Sequence, residues 1–154
     1  MQQLVKGGKK TFGWSRVSET GRIIIPPDAA DEYSLSMESY AYLLPGSRKS
    51  GGFGLSTLKL LENSRFAEVL SDHPELLHPE SISGAGMKCY SGIFCVVPIL
   101  NMSITIPLDV LNLFGIKKES MLLTVRGSRV ALGFIVRGPI IEEAKRHPGL
   151  ETYA

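Results

Sequence analysis

Cys89 and Cys95 are the only thiols in this chain of 154 residues. Two cysteines make no disulfide framework in a chain this long, and their spacing is wider than a tight metal knuckle. They read as structural thiols, with a metal or redox pair as the competing reading, and the default compartment is a reducing cytosol. His73, His78 and His147 each precede a proline. A metal site needs imidazoles on one rigid face, and His-Pro breaks helices, so all three read as exposed loop residues. Gly51, Gly52 and Gly54 lack the Lys-Ser/Thr ending and following helix of a phosphate loop. There is no serine elbow, zinc-protease motif or clear acid pair. No enzyme, metal or cofactor is expected. What remains is basic: Lys6, Lys9, Lys10, Arg16 and Arg22, gathered near the N-terminus.

The elements that must position these residues belong to one ordinary domain or two small ones. Hydrophobic residues at 44% and charged residues at 21% exclude wholesale disorder. A net charge of +2 is far from that of a protein that coats nucleic acid, so any such site must be a local patch. The longest apolar stretch, residues 92–100, is interrupted by Pro98 and falls short of the roughly 18–20 residues of a membrane span. Thr11, Gly13, Ser15 and Arg16 follow the early lysines where a signal peptide would have an apolar run. The chain is therefore expected in the cytoplasm, with no membrane partner.

An internal repeat organises the rest. Ile23-Ile24-Ile25-Pro26-Pro27-Asp28 lies over Ile104-Thr105-Ile106-Pro107-Leu108-Asp109, an offset of 81 residues. At the same offset Glu38-Ser39 meets Glu119-Ser120, Gly46-Ser47-Arg48 meets Gly127-Ser128-Arg129, and Gly52-Phe53 meets Gly133-Phe134. Roughly a third of positions 23–55 are identical, in order and without gaps. Each copy reads as two strands, a short helix and two more strands. Copy 1 places strands at 12–18, 22–25, 40–44 and 53–56 around a helix at 28–33. In copy 2, residues 93–106 form two strands separated near Leu100-Asn101-Met102. Asp109 caps a short helix that Gly115 ends, and strands at 121–125 and 130–136 flank a turn at Gly127. Helices at 57–70 and 139–147 follow the two copies, and Pro139 suits a first helical position. Residues 71–87, with Pro74, Pro79, Gly84 and Gly86, have linker composition. The organisation is repeat 1 with its helix at 1–70, a linker at 71–87, and repeat 2 with its helix at 88–154.

The run Ser15-Arg16-Val17-Ser18-Glu19-Thr20-Gly21-Arg22-Ile23-Ile24-Ile25-Pro26-Pro27-Asp28 resembles the opening of the AbrB/SpoVT family, the looped-hinge helix or MazE-like proteins. The likeness covers about 45 residues of each copy. Copy 2 shares Ile104-Thr105-Ile106-Pro107 and Phe114-Gly115-Ile116-Lys117, but has Met102-Ser103 in place of Gly21-Arg22. Family members build a swapped-hairpin barrel from two chains. The resemblance thus implies a mainly β fold with short helices, in which one chain forms the swapped-hairpin β-barrel as its own pseudo-dimer, each repeat followed by a helix.

The resemblance also implies contact with double-stranded DNA through basic residues of the first hairpin, here Arg16 and Arg22. Lys6, Lys9 and Lys10 lie upstream, within reach of phosphates. Departures are visible. Ala30 and Asp31 stand where the family's helix often carries basic residues, and a carboxylate there repels phosphate. Val97 and Ser103 stand where copy 1 has Arg16 and Arg22. Either a second molecule completes the grip, making a homo-oligomer, or the barrel serves elsewhere. The expected function is an AbrB-like transcriptional regulator. The alternative is a non-DNA-binding barrel that binds a protein or small ligand. Arg48 and Arg129, each after Gly-Ser, read as shared turn residues, against a reading as symmetric anion contacts.

Overall fold

A computed structural model describes residues 5–6, 9–46, 49–78, 88–90 and 94–154. Arg48 and most of the expected linker lie outside these residues.

Alternating apolar residues in copy 1 give strands β2 (Lys9–Arg16), β3 (Arg22–Ile24), β4 (Tyr40–Pro45) and β5 (Phe53–Ser56), preceded by the short β1 (Val5–Lys6). Copy 2 supplies β6 (Lys88–Tyr90), β7 (Phe94–Pro98), β8 (Ser103–Thr105), β9 (Met121–Val125) and β10 (Leu132–Ile135), and β11 (Thr152–Tyr153) follows. Helix α1 (Pro27–Glu32) has its counterpart in α4 (Leu108–Leu113). The fold is mainly β with small helices, as expected.

One mixed sheet runs β1-β2-β9-β10-β5-β4-β7-β6, with β11 parallel to β2, and β3 pairs β8 in a separate two-stranded sheet. The expected closed barrel is not found among the described residues: the strand path ends at β1 and at β6. The turns after β2 and β7 lift β3 and β8 off the long sheet, and the two satisfy each other's backbone groups instead.

Strand pairing crosses between the copies. β2 pairs β9, β7 pairs β4, β10 pairs β5 and β3 pairs β8. In the β3–β8 pair Ile23 faces Ile104, so residues 81 apart meet at the centre of the ladder. Two backbone bonds flank it, from the Ile106 amide to the Gly21 carbonyl (3.0 Å) and from the Ile25 amide to the Met102 carbonyl (2.8 Å), again mates at that offset. The offset fails at two turns. Arg16 faces Met121 while Pro98 faces Tyr40, so the counterpart of Arg16 is Pro98, not Val97. Leu44 faces Gly54 while Val125 faces Gly133, so Gly52-Phe53 is not the counterpart of Gly133-Phe134. Copy 2 is one residue shorter in its first turn and two shorter in its second hairpin, where insertions are cheapest.

Period-2 alternation sorts the strands between two faces. Phe12, Leu43, Leu55, Val97, Leu122 and Phe134 point into the main core with Ile23, Ile25, Ile104 and Ile106. Tyr42, Leu44 and Val96 point the other way, under α2 (Leu58–Glu62) and α3 (Ala67–Asp72), which bury Leu61 and Leu70. On the same principle Leu123 and Val125 lie under α5 (Pro139–Ala144), which buries Ile141 and Ala144. Both post-repeat helices therefore cover the sheet.

The helix expected over 57–70 is broken. The Ser64 hydroxyl donates to the Leu61 carbonyl (2.8 Å) and accepts from the Phe66 amide (3.0 Å), while the Asn63 side chain bonds the Lys59 carbonyl (3.1 Å). Such local bonds offer the backbone an alternative to the helical ladder. Asp109 is no cap either; Pro107 occupies the N-cap of α4, and Asp109 lies in the first turn. Residues 71–72 belong to α3, and a 3-10 turn, Pro74–Leu77, buries Leu76 between His73 and His78. The expectation of free structural thiols is corrected. Cys95 is disulfide-bonded, and the only other cysteine, Cys89, lies directly opposite it in the β6–β7 ladder. The default of a reducing cytosol, drawn from the lack of a disulfide framework, loses that support.

Candidate nucleic-acid interface

Arg16 and Lys10 occupy opposite ends of β2, six residues apart, which is about 20 Å of extended chain. The sequence-derived basic residues are thus split between two ends of the molecule.

At one end Arg22 opens β3 beside the two-fold centre. Its Nε donates to the Ser103 hydroxyl (3.1 Å), and its side chain is exposed. Gly21 reaches its position with φ of +85°, and the Ser18 hydroxyl accepts from the Thr20 and Arg22 amides, which fixes the turn. Arg16 is also exposed, but its guanidinium donates to the Glu119 carboxylate. Glu19 and Glu119 line the same shallow pocket as Arg16, so this end carries both signs of charge.

At the other end Lys10 approaches Glu32 at 3.6 Å and lies 5.2 Å from the centre of the Phe12 ring. Lys6 and Lys9 face each other in the β1–β2 ladder; their side chains lie outside what is described. Arg126, in the turn that follows β9, binds Glu32 through Nε and a terminal nitrogen, both at 2.6 Å. This fork holds the Glu32 carboxyl below the ordinary carboxylate range, aided by the charges of Arg126 and Lys10 and opposed by partial burial. Next to it Tyr33 is buried and its hydroxyl donates to the Ser128 carbonyl (2.7 Å). Burial first, and the nearby Glu32 charge second, push its phenol up to about 12, so it remains a donor at neutral pH.

Glu32, Tyr33, Lys59, Leu60, Arg126 and Arg129 line a groove of about 740 Å³. The sequence held one signal for it: at the offset of 81, Glu32-Tyr33-Ser34 of copy 1 stands against Leu113-Phe114-Gly115 of copy 2. Among the described residues no cluster of His, Cys, Asp and Glu is placed to hold a metal, and no helix is long and apolar enough to cross a membrane. No family model matches the chain, and neither a curated protein nor a solved structure is significantly similar to it.

Proposed function

We propose that the chain is a DNA-binding transcriptional regulator of the AbrB-like type, a single-chain swapped-hairpin pseudo-dimer that meets duplex DNA with the face around β3 and β8. The observation that carries this reading is the two-fold register of that pair, with Ile23 opposite Ile104 and strands of each copy completed by strands of the other. A two-fold protein face suits the local two-fold symmetry of duplex DNA. Arg22 is the leading contact, because it is exposed at this centre with no carboxylate bound to it among the described residues. Arg16 joins by exchanging Glu119 for a phosphate. Copy 2 offers Pro98 and Ser103 at the matching places, so a second molecule is the expected completion of a full site.

The test is fluorescence anisotropy of mixed duplex fragments across a salt series, with the Arg16→Ala/Arg22→Ala variant alongside. Two neutralised phosphates give log K against log salt a slope of about −2. Binding that survives in the variant moves the site elsewhere; no binding at low salt ends the reading. A second reading, a barrel-derived module that binds something other than DNA, is favoured by the carboxylates on Arg16 and Lys10, which already neutralise two of the five basic residues.

A further inference from the structure

We propose that the groove between α1, α2 and the β9–β10 loop binds a small organic anion that carries an apolar ring or short chain. The proposal stands apart from the DNA reading, since this groove lies at the far end of β2 from Arg16 and Arg22.

The two copies diverge here in a consistent direction. Glu32, Tyr33, Ser34 and Arg126 surround the groove, and their counterparts in copy 2 and copy 1 are Leu113, Phe114, Gly115 and Pro45. At the counterpart corner Phe114 packs against Phe53, ring centres 5.8 Å apart, and its carbonyl accepts the Gly52 amide. There the ring is turned into the core, while Leu113 is exposed and Gly115 lines a separate groove. At the Tyr33 corner the phenol is instead tied to the Ser128 carbonyl, and space remains open. The backbone shape is retained through the change: Ser34 holds φ of +58° where Gly115 holds +77°. A serine in that conformation is less comfortable than glycine, so polarity has been added at this corner against a local cost.

The lining matches one ligand chemistry. Tyr33, Leu60 and Val130 supply apolar wall, and Lys59, Arg126 and Arg129 supply three cations against the single carboxylate of Glu32. Arg126 already grips that carboxylate with two short bonds, whereas Lys59 and Arg129 are exposed and hold no carboxylate among the described residues. The loop that presents Arg129 is pre-set, because the Ser128 hydroxyl accepts from the Val130 and Ala131 amides, both at 3.2 Å. A fixed loop reduces the ordering cost of binding. The volume of about 740 Å³ falls within the range of small-molecule sites. An anionic head between Lys59 and Arg129, with its apolar body on Leu60, Val130 and the Tyr33 ring, uses the two cations that hold no carboxylate and the apolar wall beside them.

The test is an amide NMR titration of the full chain with benzoate, phenyl phosphate, neutral benzamide and inorganic phosphate. Either organic anion is expected to shift the amides of Tyr33, Leu60 and Val130 with Kd on the order of 1 mM or tighter, and benzamide and inorganic phosphate to bind at least about tenfold more weakly. Lys59→Ala/Arg129→Ala, at two exposed positions, is expected to weaken the organic anion by about tenfold or more while the remaining amides keep their positions. It should leave DNA retention by Arg16 and Arg22 unchanged. No shift at those amides with either organic anion overturns the proposal. So does unchanged affinity in the double variant, equal binding of inorganic phosphate, or displacement of the bound anion by duplex DNA.

Discussion

Glu32 decides how much positive charge the groove end presents. It accepts two bonds from Arg126 and faces Lys10, so three formal charges leave a net of one. Its carboxyl lies below the ordinary range, chiefly through the Arg126 bonds. A depressed carboxylate contributes stability that is fully present above its unfolded pKa and is lost as pH falls through the folded value. Glu32→Gln should therefore lower the urea midpoint relative to the parent at pH 7, and the gap should close once pH drops below the normal carboxylate range. A gap that persists at about pH 2 would assign the loss to packing rather than charge. The same substitution frees Arg126 and should raise the affinity of the groove for benzoate. None of this pairing was visible in the sequence. The basic residues were readable as a set, but Glu32 lies 94 residues from Arg126 and Glu119 lies 103 residues from Arg16. Only strand pairing between the copies brings those carboxylates to those arginines.

At the scale of elements, Gly21 is where the first hairpin meets the second. Its φ of +85° disfavours a side chain, and a Cβ there would run into the Ile106 carbonyl oxygen. Gly21→Ala is expected to cost at least about 1–2 kcal/mol, read as a lower urea midpoint with no change in slope. Met102, the counterpart, already sits at φ of +59°, so the left-handed turn is a demand of both hairpins rather than a habit of glycine. An unchanged midpoint for Gly21→Ala would mean that the β3–β8 pair adjusts freely. Elements with strong period or punctuation were legible: the β-branched triplet before Pro26, the helix opened by Pro139, and the strands expected at 40–44 and 53–56, which run Tyr40–Pro45 and Phe53–Ser56. The residues that mislead are those whose side chains bond their own backbone. Ser64 and Asn63 sit in an apolar pattern that runs on helically, and nothing in that pattern reports the turn they make. Turn lengths were equally hidden, since the gap-free match over 23–55 passes over a two-residue deletion in the second hairpin, which the ladders reveal by setting Gly54 against Gly133 as counterparts. The groove was legible only as a contrast between copies, and the contrast has meaning once the ladder fixes which residues correspond.

For the whole molecule, the pairing pattern determines what can fold alone. Within residues 1–78, β3 has no partner, and of the neighbours of β2 only the short β1 remains. The buried faces of β2 and β4 would lose β9 and β7, together with the Leu122, Phe134, Ile104 and Ile106 side chains that complete the main core. A half of this kind exposes strand edges and apolar surface together, which favours association over a folded monomer. The full chain avoids the problem because its second copy is tethered, so completing the sheet carries no bimolecular cost. Its thermal midpoint should therefore not change with protein concentration. The fragment 1–78 should show no concentration-independent cooperative unfolding by circular dichroism; any transition it does show should rise with concentration, as linkage requires when only an assembled form is folded. A fragment that unfolds cooperatively at one temperature across a hundredfold dilution would mean that copy 1 closes its core without copy 2. In that event the crossed ladders would be an arrangement of two finished units. If the transition instead follows concentration, the two-fold pair at Ile23 and Ile104 is the joint through which each copy completes the other, and the face around it forms only where two copies meet, tethered in one chain or assembled from two.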